Sequence, residues 1–274
     1  MKKRNLTFVG CMACLLYSGP SQADSVSADT TNPRSVMEAV RDRPSGDREL
    51  SRFRLTIKDS GGRSRERVMQ VREMDINNST KSMVFVEGPA DVRNIALLTV
   101  DYDDSSKGDD QWLFMPKLRK TTRIGSTKRS GAFMGSDFTY GDMTQLNTDL
   151  YSYKLIKHSV KIDGDDCWLI EARPKTKAEE VESGSIKQHL WVSKSKMMTI
   201  RIKSWMRKGK KLRYISMNDI EMLSGIWTPK VTLVRTVLNG KVESESSLSL
   251  LDVEYNVASV KPEVFNLRNL ERGI

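Results

Sequence analysis

Histidine and cysteine are nearly absent: the 274 residues hold 2 His and 3 Cys. With only His158 and His189 available, a multi-histidine metal centre is excluded. Each of the two falls within a predicted strand, where a wet-face or satisfied core residue is the ordinary reading. The chain has no Gly-x-Ser-x-Gly elbow, phosphate-binding loop, dinucleotide fingerprint or His-Glu-x-x-His helix. Asp101, Asp103, Asp104, Asp109 and Asp110 lack the spacing and the closing Glu of a calcium loop. No catalytic, cofactor or metal residue is assigned, and an enzyme is the least favoured class. Pro and Gly number only 8 and 17, and 38% of residues are hydrophobic. The composition is therefore neither disordered, collagen-like nor disulfide-stapled.

Positive charge is what the chain has in excess, 45 Lys+Arg against 35 Asp+Glu for a net +10. Part of it belongs to a predicted secretory signal over residues 1–23. Lys2, Lys3 and Arg4 form its basic start, Leu6 to Leu16 its apolar stretch, and Ser21-Gln22-Ala23 its small-residue cleavage site. The apolar run is well short of the ~20 residues that span a bilayer, and Cys11 and Cys14 come too early for a lipoprotein signal. Cleavage removes three cations, taking +10 to +7, and leaves Cys167 as the mature thiol. Within Cys167-Trp168-Leu169-Ile170 that thiol reads as a small buried apolar residue. The densest basic stretch runs through Lys117, Arg119, Lys120, Arg123, Lys128 and Arg129. Its interleaving residues are Leu118, Thr121, Thr122 and Ile124 rather than aromatics that stack bases. Nucleic acid is set aside as a partner. For an exported protein, Lys117, Arg119, Lys120 and Arg123 point to anionic lipid head groups or an acidic docking surface.

Residues 24–32 are small and polar and read as a flexible leader. One helix follows from Pro33, with Val36, Met37 and Val40 at helical spacing, and it ends before Pro44. From residue 50 the period changes to two. Met198-Thr199-Ile200-Arg201-Ile202-Lys203 is the clearest case, with Met198, Ile200 and Ile202 on one face. Further strands are predicted at 53–57, 65–74, 82–86, 96–101, 111–115, 153–162, 167–172, 189–193, 212–222, 231–237 and 243–254. Turn signals at Ser60-Gly61-Gly62, Asp163-Gly164-Asp165, Lys208-Gly209-Lys210 and Asn239-Gly240 separate them. Strand and short turn in alternation predict an antiparallel meander curling into a barrel or half-barrel. Residues 125–149 break the pattern, and a segment of that length in a β protein has a functional or covering role. Pro262 to Arg272 reads as a final helical turn or extended cap. With no linker composition, residues 33–274 are expected to form a single domain. Methionine is abundant beside the strands, which suits either core filling or an adaptable ligand surface.

The segment Asp110-Gln111-Trp112-Leu113-Phe114-Met115-Pro116-Lys117-Leu118-Arg119-Lys120, then Arg123-Ile124, then Ser130-Gly131-Ala132-Phe133-Met134-Gly135-Ser136-Asp137-Phe138-Thr139-Tyr140, resembles the LolA-like outer-membrane lipoprotein-sorting family. Lys81-Ser82, Phe85, Pro89, Asp91-Val92 and the closing Phe265, Leu270 and Glu271 are similar to that family too, and Gly141-Asp142 departs from it locally. The resemblance implies a mainly β (α+β) fold: a curved antiparallel sheet, an incomplete barrel, covered by the N-terminal helix and loop or helix segments around an apolar cavity. It implies a periplasmic carrier of a lipid or lipoprotein acyl chain, working toward the outer membrane, in places beside an inner-membrane exporter of the resistance-nodulation-division (RND) type. On that reading Met198, Ile200, Ile202, Trp112, Phe114, Trp168 and Trp191 are candidates for the cavity wall. Phe133, Met134, Phe138 and Tyr140 would belong to a movable cover. The alternative is a sensor or docking module on the same fold that carries no cargo.

Overall fold

The computed structural model describes residues 26–104, 106–145, 147–207 and 209–273; the predicted signal over residues 1–23 lies outside them. Helix α1 (Pro33–Arg41) starts where Asn32 caps it, its side chain accepting from the Arg34 and Ser35 amides, with Pro33 at the first position. Val36 and Met37 form its buried stripe.

Six strands follow: β1 (Arg48–Asp59), β2 (Ser64–Asp75), β3 (Ser79–Gly88), β4 (Ala96–Tyr102), β5 (Asp110–Met115) and β6 (Lys120–Arg123). Seven more come after residue 150: β7 (Tyr151–Ile162), β8 (Asp165–Pro174), β9 (Ser185–Ser193), β10 (Met198–Met206), β11 (Lys211–Leu223), β12 (Ile226–Leu238) and β13 (Lys241–Tyr255). Helix α2 (Lys177–Ser183) sits between β8 and β9, and α3 (Leu267–Arg272) closes the chain. All thirteen strands make one antiparallel sheet in the order β6-β5-β4-β3-β2-β1-β13-β12-β11-β10-β9-β8-β7. The sheet is not closed into a barrel. Asn239 and Gly240 both take positive φ in the two-residue turn joining β12 and β13, the geometry such hairpins require.

The strand order explains the long irregular segment. Two meanders run outward from the β1–β13 pair, so β6 and β7, consecutive in the chain, are the opposite edges of the sheet. Residues 124–150 must therefore cross from one edge to the other. They do so as a series of short 3-10 turns, with Phe133 and Phe138 packed on Leu55, Val84, Ile215 and Val234 of both meanders.

Strands β3 and β4 are buried on both faces. Val84 and Leu97 belong to the cluster under the crossing segment. Met83, Phe85, Ala96 and Leu98 face the other way, beneath Val260, Phe265 and Leu270 of the C-terminal segment. Helix α1 covers the other wing, where Val36 and Met37 pack with Trp168, Ile170, Leu190 and Val192. The burial of each Val, Leu, Ile, Met and Phe among them supplies ~1.5–3 kcal/mol relative to exposure.

Candidate functional site

Between the concave face and its covers lies a cavity of ≈ 640 Å³. Strand alternation supplies its apolar wall: Phe53 and Leu55 from β1, Met69 and Val71 from β2, Val84 from β3, and Ile215 and Met217 from β11. Met37 and Val40 of α1 and Leu190 of β9 continue that wall, and Phe133, Phe138 and Met143 of the crossing segment complete it.

One end of the cavity is polar. The register aligns Tyr255, Glu49, Glu73, Ser82, Thr99 and Gln111 in a single row across six strands. Glu49, Glu73 and Ser82 of this row line the cavity, with Asp101 nearby. The adjacent row, Val71, Val84, Leu97 and Leu113, is apolar. Burial, reinforced by Glu49, Asp101 and Asp75, pushes the Glu73 carboxyl up to about 8. Asp101 is pushed up to about 7 by burial and Asp109. Burial also raises Glu49, whose carboxylate accepts the Ser51 hydroxyl at 2.5 Å. Glu49 and Glu73 are half-buried in accessible surface, because the surface they retain faces the cavity rather than bulk water.

The lining holds seven acids (Glu49, Glu73, Asp101, Asp109, Asp142, Glu179, Glu182) against three arginines (Arg43, Arg129, Arg213). Arg129 is committed to Asp109 and Glu182, Arg213 to Asp142, and Arg43 donates to the Trp227 carbonyl at 3.2 Å. Among the described residues no ion pair reaches Glu49 or Glu73. A protein with net +10 thus encloses an acidic interior.

The crossing segment is fastened to the sheet by polar anchors. The Asp137 carboxylate accepts hydroxyls of Thr236 (2.5 Å), Ser246 (2.7 Å) and Ser244. Arg213 donates to the Asp137 carbonyl (3.0 Å) and to the Asp142 carboxylate. Gln111 donates to the Tyr140 carbonyl at 2.9 Å, and Gln145 reaches Thr80 and Asp101. Buried Arg129 ties the residue before β5 to α2, joining the two wings across the mouth.

The residues singled out from sequence fall in several places. Met198 and Ile202 line the cavity. Ile200 does not, because a β-bulge between Thr199 and Arg201 interrupts the alternation and Ile200 packs with Cys167 instead. Trp168 is fully buried behind the wall, against α1. In β5 the inward positions are Gln111 and Leu113, paired with Thr99 and Leu97, so Trp112 and Phe114 face outward beneath the C-terminal segment. Trp191 packs with the Cys167 cluster and beside His189, 6.3 Å between ring centroids. Phe133 and Phe138 line the cavity, while Met134 and Tyr140 pack against the same cluster from the crossing segment. Lys117, Arg119, Lys120 and Arg123 are exposed on the β5–β6 hairpin, Arg123 paired with Asp110. Arg129, from the same basic stretch, is buried.

Sequence reading overlooked α2 and the acidic row. Thr176 accepting from the Glu179 amide, and Gly184 closing the helix at φ 72°, are readable start and stop signals. The acidic row has no local signal, since its members are brought together only by strand pairing.

An open antiparallel sheet whose concave face is roofed by α1 and by the segment joining its own edges defines a LolA-like architecture. A family model described only as that of an uncharacterized protein matches residues 78–272, and the chain belongs to that family. The LolA-like fold implied by residues 81–140 and 265–271 is matched by solved structures. One, described as an outer membrane lipoprotein-sorting protein domain from Vibrio parahaemolyticus, superposes with a TM-score of 0.78 at 23% identity, covering 88% of this chain and 98% of that one. A DUF1329 family protein from Desulfovibrio piger gives 0.78 at 22%, covering 87% and 97%. A LolA superfamily protein from Nitrosomonas europaea gives 0.66 at 20%, covering 87% and 99%. At these identities the likeness is one of fold. No curated protein matches the sequence.

Proposed function

We propose that the protein is an exported, periplasmic carrier that holds a lipid or a lipoprotein acyl chain in the cavity and moves it toward the outer membrane. The observation that carries this reading is the ≈ 640 Å³ cavity with an apolar wall beneath a segment anchored at discrete points. That volume lies within the ~300–1,000 Å³ of small-molecule sites, and each CH₂ taken from water contributes ~0.8 kcal/mol. Catalysis has no comparable support, since the cavity's polar groups are structural anchors or unpaired acids. Exposed Lys117, Arg119 and Lys120 beside Leu118, 65% exposed, suit transient contact with an anionic membrane surface. An inner-membrane RND-type exporter as a working partner rests on the family resemblance alone.

The test is native mass spectrometry of gently purified protein together with transfer of labelled lipid between vesicles. A carrier retains an apolar adduct and accelerates transfer. Binding without transfer would favour the sensor reading, and neither binding nor transfer would overturn both.

A further inference from the structure

The cavity's polar end has a composition unusual for a lipid site. Glu49 and Glu73 are direct partners in the β1–β2 register, a spacing that brings Cβ atoms within about 5 Å. Like charges opposite one another are destabilising, and among the described residues no ion pair compensates them. The charged and titratable groups facing the pair are Asp75 on β2, Asp101 on β4, Tyr255 on β13 and Arg43 from the α1–β1 turn. Arg43 is held by the Trp227 carbonyl. Ser82 continues the row along the cavity, and beyond it Thr99 and Gln111 lie outside the lining. Carboxyl groups at this end, Glu49, Glu73 and Asp101, thus outnumber the cations facing them.

We propose that this end of the cavity receives the cationic, donor-rich head of an aminolipid, a primary ammonium seated against Glu49 and Glu73 with its apolar chain along Phe53, Leu55 and Leu190. An ammonium offers three donors and a positive charge, which is what the row lacks. A carboxylate or phosphate head would instead meet the acid pair with Arg43 as the cation facing it, outnumbered by Glu49, Glu73 and Asp101, so anionic lipids are disfavoured at the same site. The empty protein keeps Glu73 protonated at neutral pH. Seating an ammonium there releases that proton to solvent, so uptake is coupled to proton release.

The proposal rests on the carrier reading and is separable from it by comparing probes of equal chain length: dodecylamine, dodecanol and laurate, each competing with a fluorescent acyl probe. The expected order is amine tightest and laurate weakest, with amine affinity rising about tenfold per pH unit from 6 to 8 while dodecanol stays constant. Glu49→Gln with Glu73→Gln, checked for retained fold by circular dichroism, removes the amine preference and leaves dodecanol binding intact. Dodecanol binding with no amine preference, or a preference that survives the double substitution, overturns this inference and leaves the carrier reading standing. Failure of all three probes to bind overturns both.

Discussion

Arg213 of β11 donates to both oxygens of the Asp142 carboxylate and, through Nε, to the Asp137 carbonyl. One nearly buried guanidinium on the sheet thereby holds two points of the crossing segment, and Asp137 is held again by the hydroxyls of Thr236, Ser244 and Ser246.

Arg213→Ala leaves Asp142 without its cation and frees the Asp137 carbonyl. The expected cost is on the order of 2 kcal/mol, discounted from a fully buried pair because Asp142 keeps some solvent contact. Hydrogen exchange should rise at residues 133–142 while the β11–β12 ladder stays protected. Unchanged exchange in that segment would show that the apolar contacts of Phe133 and Phe138 alone hold it down.

Glu73 gives the protein a pH dependence of definite sign. Its carboxyl is raised from 4.5 to about 8 in the folded state, so between those values the folded form holds a proton that the unfolded form has lost. Stability is highest below about pH 4.5 with respect to this group. It falls toward pH 8, at up to ~1.4 kcal/mol per pH unit. Urea unfolding at intervals from pH 5 to 8.5 should show the decline, and Glu73→Gln should flatten it and raise stability at the alkaline end.

Gly184 ends α2 at φ 72°, and a Cβ there would stand 2.8 Å from the Ser130 Cβ. Gly184→Ala is expected to cost ~1–3 kcal/mol by adding backbone strain to a steric conflict with the crossing segment. Ser130→Gly in the same chain should recover the steric part only, an additivity test read from melting temperatures.

Lys117, Arg119 and Lys120 stand on an exposed hairpin with no ion-pair partner among the described residues. Their replacement by Glu should reduce co-sedimentation with anionic vesicles by ~1 kcal/mol per cation at low salt, with little effect on the fold. If vesicle binding at low and high salt is unaltered, the hairpin has no membrane role.

Alternation and turn chemistry made most of the strands legible, and they also made 125–149 stand out as a long break in the pattern between strands. Which face of a strand lies inward was another matter. In β5, period two puts Trp112 and Phe114 together, but the concave side is set by Gln111 pairing with Thr99 and Leu113 with Leu97. In β10 the bulge at Ile200 interrupts the alternation, so Met198 and Ile202 line the cavity and Ile200 does not, and no local pattern announces it. The row of Tyr255, Glu49, Glu73, Ser82, Thr99 and Gln111 draws on residues spread over most of the chain. Its acidic character is a property of register, which hydropathy does not encode.

The connection between the sheet's two edges is far from extended. Residues 124–150 would reach roughly 90 Å if extended, yet they are wound into compact 3-10 turns. The tether therefore carries slack. What holds its middle to the wall is the anchors at Asp137, Asp142, Tyr140, Gln145 and Arg129 with the packing of Phe133 and Phe138, and none of these is a hydrogen bond of the β6 or β7 ladder.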